Sequence, residues 1–133
     1  MKKNNDLGLL VLRMSVGILM LIHGIAKLDG GIHFIISMLE SKGIPSFLAY
    51  GVLVGEVLAP IAIIIGFRTR ISSSILAFNC LVAILLAHQN DILSLSPHGG
   101  WAAELIGLYL FGAIALIFTG GGKYAISNRN NWD

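Results

Sequence analysis

Four stretches of this chain are long and apolar enough to cross a lipid bilayer, and that limits everything else it can fold into. A spanning helix needs about 20 mostly apolar residues, and residues 7–28, 47–67, 71–88 and 101–119 each supply such a run. Of the 133 residues, 56% are hydrophobic and 12% charged, against about 25% charged in soluble domains. Intrinsic disorder and a coiled coil are excluded together. So is nucleic-acid binding, because the formal charge of +2 comes from scattered residues and not from one basic face. The expected fold is an all-α membrane protein, a four-transmembrane-helix antiparallel bundle forming one domain over residues 1–133. The first span is too long and too polar for a cleaved signal, and no small-residue cleavage site follows it, so it is read as retained.

The connections differ in kind. Arg68-Thr69-Arg70 is a tight polar turn that makes spans two and three antiparallel neighbours. Residues 88–100 carry Pro97 and a Gly99-Gly100 pair and read as a loop. Within 29–46, Ile32, Ile35, Ile36 and Leu39 recur near helical spacing, followed by Glu40, Lys42, Gly43 and Pro45. That pattern fits a short interfacial helix between spans one and two, or a flap packed over the bundle. Lys2, Lys3, Arg68, Arg70, Lys123 and Arg129 fall on the side that holds both termini, whereas the other side has Lys42, with Lys27 at its border. The positive-inside rule then predicts cytoplasmic termini and a multi-pass protein of the inner (cytoplasmic) membrane. The polar tail, residues 120–133, is expected to fray.

Ionisable groups at bilayer depth cost several kcal/mol unless paired or hydrated, so each marks a candidate site. In span one, His23 lies about 80° and Lys27 about 40° around the helix from Arg13. The three share a face with Gly17 and Gly24, which admit a neighbouring helix or a flat ligand. Span two contributes Glu56, one turn before Pro60, and an Arg13–Glu56 ion pair is expected, either as a structural lock or as part of a site. His88 ends span three and Glu104 opens span four. Antiparallel packing gathers His23, Lys27, His88 and Glu104 at one mouth of the bundle, with Glu56 deeper. These five are the candidates for ligand binding or proton relay. Plainer roles also fit: Lys27 snorkelling to the headgroups, His88 meeting a helix dipole, His98 as ordinary surface. Asn79 lies about 180° around its helix from His88, so it is expected to bond a neighbouring helix instead of sharing that site. Cys80 reads as a small buried filler.

Several chemistries have no sequence basis. The lone Cys80 cannot form an intramolecular disulfide, a CxxC pair or a cysteine zinc site. HxxxH, ExxH and HExxH spacings are absent, and Lys27 puts a positive charge in the same mouth, so no metal is expected. No G-x-S-x-G elbow occurs, and Gly120-Gly121-Gly122-Lys123 lacks the spacing of a P-loop. Flavin, haem and iron–sulfur attachment motifs are likewise absent. Trp101 and Tyr124 fit interfacial anchors.

Six segments in register resemble the DoxX family. They are the run from Gly17 through His23-Gly24-Ile25-Ala26-Lys27-Leu28, the segment Gly55-Glu56-Val57-Leu58-Ala59-Pro60, the turn Gly66-Phe67-Arg68-Thr69-Arg70, His88, Glu104, and Gly120-Gly121-Gly122-Lys123-Tyr124. Together they cover nearly the whole chain. The family's ending reads close to G-P-G-R-Y-S-L-D; here Gly121 stands for the proline and Ser127 for the final acid. The resemblance implies a four-helix inner-membrane protein related to the membrane subunit of a thiosulfate:quinone oxidoreductase. Some members resemble partners of cytoplasmic redox or detoxification enzymes.

Three functions stay open at this point. One is a redox-associated subunit that binds a quinone or similar apolar ring compound in the polar mouth, with His23 or Lys27 donating to a carbonyl and Glu56 or Glu104 relaying the proton. Its electrons must come from a partner protein or from the substrate, so it is not expected to be a self-sufficient enzyme. The second is a non-catalytic scaffold or assembly partner for cytoplasmic redox or detoxification enzymes, recruited at the Arg68–Arg70 turn and the tail. The third is a small-solute carrier, which four short helices can form only as a homo-oligomer.

Overall fold

A computed structural model describes residues 4–133, so Lys2 and Lys3 lie outside the described residues. Asn4 opens α1 (Asn5–Ala26) by accepting the Leu7 N–H on its side chain at 3.1 Å, with Asp6 in the first turn. The helical path does not stop at Ala26. It passes through a widened turn, Lys27–Gly31, and continues as α2 (Ile32–Ser41). At that elbow Gly30 holds φ 115, a left-handed conformation that glycine adopts without a Cβ clash. The third helix, α3 (Ser46–Ile65), begins as a tight 3₁₀ turn. Then come α4 (Thr69–Ala87) and α5 (Glu104–Thr119). Consecutive long helices pack side by side and α5 returns to α1, so the four form a closed antiparallel bundle. The shared core holds Val16, Met20, Ile63, Leu76, Cys80, Ala113 and Leu116.

The short helix α2 is real, and it is not merely laid on the surface. Its Ile35 and Leu39 are buried against Ala49, beside Val52 and Leu86, in a second small core. Phe34, on the flank of the same helix, is exposed. The segment thus combines the two readings of residues 29–46, a helix that also roofs the bundle.

Three helical runs, Asn5–Ser41, Ser46–Ile65 and Thr69–Ala87, are long and apolar enough to span. The fourth is shorter, at 16 residues, or about 24 Å against a hydrocarbon core of about 30 Å. The helix starts three residues later than expected because 101–103 belong to a small hairpin. The Ala102 N–H bonds Ser94 O at 3.0 Å, the Ser96 N–H bonds Gly100 O at 2.7 Å, and the Trp101 indole donates to Ile92 O at 2.9 Å.

The register of α1 against α3 is set where the backbones touch. A Cβ on Gly24 would lie 2.1 Å from Glu56 O, and one on Gly17 would lie 2.5 Å from the Ile64 side chain. Gly24 is therefore level with Glu56. Arg13 stands eleven residues earlier, about 16 Å along the axis, too far for the expected Arg13–Glu56 pair. That pairing is corrected by the structure. The Arg13 side chain instead lies fully buried among carbonyls: Nε donates to Ile63 O at 3.1 Å, Nη2 to Ile64 O at 3.0 Å and Nη1 to Gly121 O at 2.7 Å. Ile63 and Ile64 lie in the last turn of α3, where carbonyls run out of α-helical partners; Ile63 O also accepts the Gly66 N–H at 3.1 Å. The residue after the helix, Gly66, turns the chain at φ 75, and a Cβ there would lie 2.8 Å from the guanidinium.

The tail is docked, which corrects the expectation that it frays. The Ile126 and Ser127 N–H groups bond Ile65 O and Gly66 O, and Arg70 donates to Asn131 O at 3.1 Å. Asp133 closes the segment on itself. Its carboxylate accepts the Ser127 hydroxyl and the backbone N–H groups of Asn130 and Arg129, with Arg68 at 3.8 Å. Those donors, the Ser127 hydroxyl foremost, hold the carboxyl below its ordinary range.

Arg13→Leu removes the clamp that joins α3 to the tail and takes the guanidinium donors from the Ile64 and Gly121 carbonyls, while Ile63 O keeps the Gly66 N–H. The expected cost is on the order of 2–4 kcal/mol, read as a lowered thermal midpoint in detergent together with faster proteolysis within 123–131. Arg13→Lys should recover only part of it, because one ammonium cannot match the fork. An unchanged midpoint and an intact tail in Arg13→Leu would refute the clamp.

Candidate functional site

At the bundle end opposite the termini, the four long helices and α2 enclose a cavity of about 1150 Å³, at the upper end of ligand-site volumes. Its walls are overwhelmingly apolar, and Phe34, Val54, Phe78 and Leu105 on its rim are exposed on the bundle surface. Polar groups reach it at a few points. His23 comes from α1, Lys27 from the widened turn that follows it, Glu56 from α3, Asn79 from α4, His88 from just past α4 and Tyr109 from α5.

Glu56 owes its position to the local chain. Pro60 has no N–H for the Glu56 carbonyl four residues back, and the helix widens to a π turn over Val54–Leu58, with the Ala59 N–H reaching Val54 O. Such turns recur at functional sites. Glu56 is 5% exposed. Lys27 Nζ donates to both of its oxygens, and Asn79 Nδ2 donates to Oε1 at 3.2 Å. Lys27, from the first position of the widened turn after α1, thus takes the role expected of Arg13. The His23 ring meets Tyr109 edge to face, centroids 5.8 Å apart. His88 lies past the last residue of α4 at φ −118, and its Nδ1 pairs with Asp91 Oδ2 at 2.7 Å.

Four of the five candidates, His23, Lys27, Glu56 and His88, line this cavity. Glu104 does not. Its carboxylate packs on Gly100 in the hairpin while the next residues, Leu105 and Ile106, turn to the cavity. Asn79 does bond a neighbouring helix as expected, through Glu56, but it also lines the cavity together with His88, because His88 has left the helix and the wheel angle no longer governs it. Tyr109 and Asp91 are the two polar partners that the sequence reading does not name. Asp91 carried a signal, three residues after His88; Tyr109 sits in a uniformly apolar run and gave none. His98 is exposed, and among the described residues no three His, Cys, Asp or Glu side chains converge as metal ligands.

A model of the DoxX family matches residues 8–89. The chain belongs to the DoxX family. The matched part contains His23, Lys27, Glu56, Asn79 and His88, while α5 and the tail lie beyond it. The chain is similar to the protein named "Putative oxidoreductase CatD" of Bacillus subtilis (strain 168), at 32% identity over 120 residues, 90% of this chain and 84% of that one. It is also similar to inner membrane protein YqjF of Escherichia coli (strain K12), at 30% identity over 141 aligned positions and 98% of each chain. No solved structure matches.

The Lys27–Glu56 pair makes a cycle of substitutions informative. Removing one partner strands a charge, so Lys27→Met and Glu56→Met should each lower the thermal midpoint in detergent. The double variant should lose less than the sum, with a coupling of about 0.5–3 kcal/mol. Additive losses would mean that the two side chains do not share an interaction.

Proposed function

We propose that this DoxX-family membrane protein is a redox-associated subunit of the cytoplasmic membrane, binding a quinone or a similar apolar ring compound in the cavity between its helices. The observation that carries this reading is an apolar chamber of about 1150 Å³ with a buried, hydrogen-bonded charge pair on its wall. A bundle held together for stability alone gains nothing from such a chamber. A ring with a carbonyl fits its chemistry: apolar walls take the ring, and Lys27, His23 or Tyr109 donates to the oxygen. Glu56 holds the position for passing a proton, since its carboxylate contacts the ammonium that would lose one. The ring accepts or gives the electrons, and a partner enzyme is the other half of the couple. The oxidoreductase wording in the name of the Bacillus relative agrees with this role.

The orientation belongs to the same proposal. Arg68, Arg70, Lys123 and Arg129 lie at the end that carries both termini, which by the positive-inside rule faces the cytoplasm. A cytoplasm-active reporter fused after residue 133 should be active, and a periplasm-active one silent; the reverse result would invert the assignment.

The ligand is tested by mass spectrometry of an organic extract from protein purified in mild detergent. Wild-type protein should yield a ring compound near one per chain, and Glu56→Gln or His23→Ala should lose it while accumulating in the membrane at near-normal levels. Bulk lipid alone in every extract, with all proteins stable, would favour a scaffold for cytoplasmic enzymes.

A further inference from the structure

A second recess opens on the outer surface of the bundle and runs toward the end that holds the tail; it meets the chamber at Ile75 and Phe78 but contains neither member of the charge pair. It is a groove of about 660 Å³ between α4 and α5, floored by Ile71, Ile75 and Ile117 and walled by Phe78 and Phe118. Trp132 of the docked tail closes one end, and Arg70 stands beside it at the head. The walls face outward: Phe118 is 76% exposed, Phe78 68% and Trp132 62%. In a membrane this surface meets acyl chains.

What distinguishes the groove from ordinary lipid-facing surface is its arginine. Arg70 is held in place by two carbonyls, Asn131 O and Phe118 O, each at 3.1 Å. A guanidinium has five N–H donors, so three remain. Among the described residues no carboxylate lies within ion-pair reach of Arg70. Its neighbour Arg68 faces Asp133, and Asp6 accepts the Lys123 N–H, so the acidic groups of this end are engaged elsewhere. A fixed cation with open donors therefore stands at the head of an apolar trough, at the depth where a tryptophan marks the interface.

We propose that this groove is a binding site for one anionic glycerophospholipid, its phosphate on Arg70 and an acyl chain along Ile71, Ile75 and Phe118. The charge decides the class. A zwitterionic headgroup brings its own cation toward Arg70, whereas a phosphatidylglycerol-type headgroup supplies an uncompensated negative charge. The apolar trough decides for a lipid over a free anion, since inorganic phosphate would leave it empty. The lipid would also fasten the tail, because Arg70 and Trp132 both belong to the site and the tail's docking.

The test is native mass spectrometry of the full chain in mild detergent, titrated with phosphatidylglycerol or phosphatidylcholine of identical acyl chains. One phosphatidylglycerol per chain should be retained at least tenfold more tightly than phosphatidylcholine. Arg70→Gln should reduce that preference to near unity. Arg70→Lys, which keeps the charge, should retain most of it and shows whether loss in the first variant is loss of charge or of folding. Ile71→Trp fills the trough without touching Arg70 and should weaken both lipids. Equal retention of the two lipids by the wild type would overturn the proposal. So would a preference that survives Arg70→Gln, or full displacement of the lipid by millimolar inorganic phosphate.

Discussion

The buried fork of Arg13 ties three parts of this bundle that are far apart in sequence. Its donors meet the last carbonyls of α3 and the Gly121 carbonyl of the tail, so one side chain satisfies groups that lipid cannot. In a hydrocarbon environment an unpaired carbonyl costs several kcal/mol, and the negative end of the α3 dipole raises the value of a cation placed there. Arg70 repeats the device for α5 through Phe118 O while catching the tail at Asn131 O. Two arginines from the odd-numbered long passes, α1 and α4, thus close the C-terminal ends of the other two. The tail, polar enough to look like a loose end, is drawn in as the third party to both contacts.

With that end fastened, the opposite end can afford a chamber. There α2 roofs the bundle, packing Ile35 and Leu39 on Ala49, and the helices are bridged by Lys27 and Glu56. The pair is net neutral, which makes it tolerable inside the membrane, yet both members reach the cavity wall. Asn79 supplies a further donor and fixes which carboxylate oxygen is the more occupied. The two ends therefore divide the work, one locking the fold and the other holding a polar wall beside open apolar space.

Most of the architecture was legible because it follows from a single solvent constraint. Runs of about 20 apolar residues must be helices in lipid, and the bounds of α1, α3 and α4 fall within a few residues of the sequence reading. The failures share one cause, the relation between helices. Sequence gives the depth of each residue only to a turn or two, so it cannot separate Arg13 from Lys27 as the partner of Glu56; the sliding register is fixed by contacts such as Gly24 on the Glu56 backbone. The wheel angle between Asn79 and His88 holds only inside a helix, and His88 lies outside it. Glu104 was placed at the mouth by depth alone, while its direction depended on a hairpin that no periodicity announces. The tail looked frayed because its partners are backbone carbonyls, which leave no trace in composition.

The outward-facing apolar rim of the chamber, Phe34, Val54, Phe78 and Leu105, has a bearing on how occupancy would be governed. A guest that slips in sideways between helices is drawn from the two-dimensional lipid phase, so its effective concentration is a mole fraction in the membrane. Dilution in the surrounding buffer would hardly matter, whereas adding lipid at constant guest would empty the site. Saturation of such a protein would then follow the guest-to-lipid ratio of the cell's membrane and would change as that membrane grows, with no alteration in the protein.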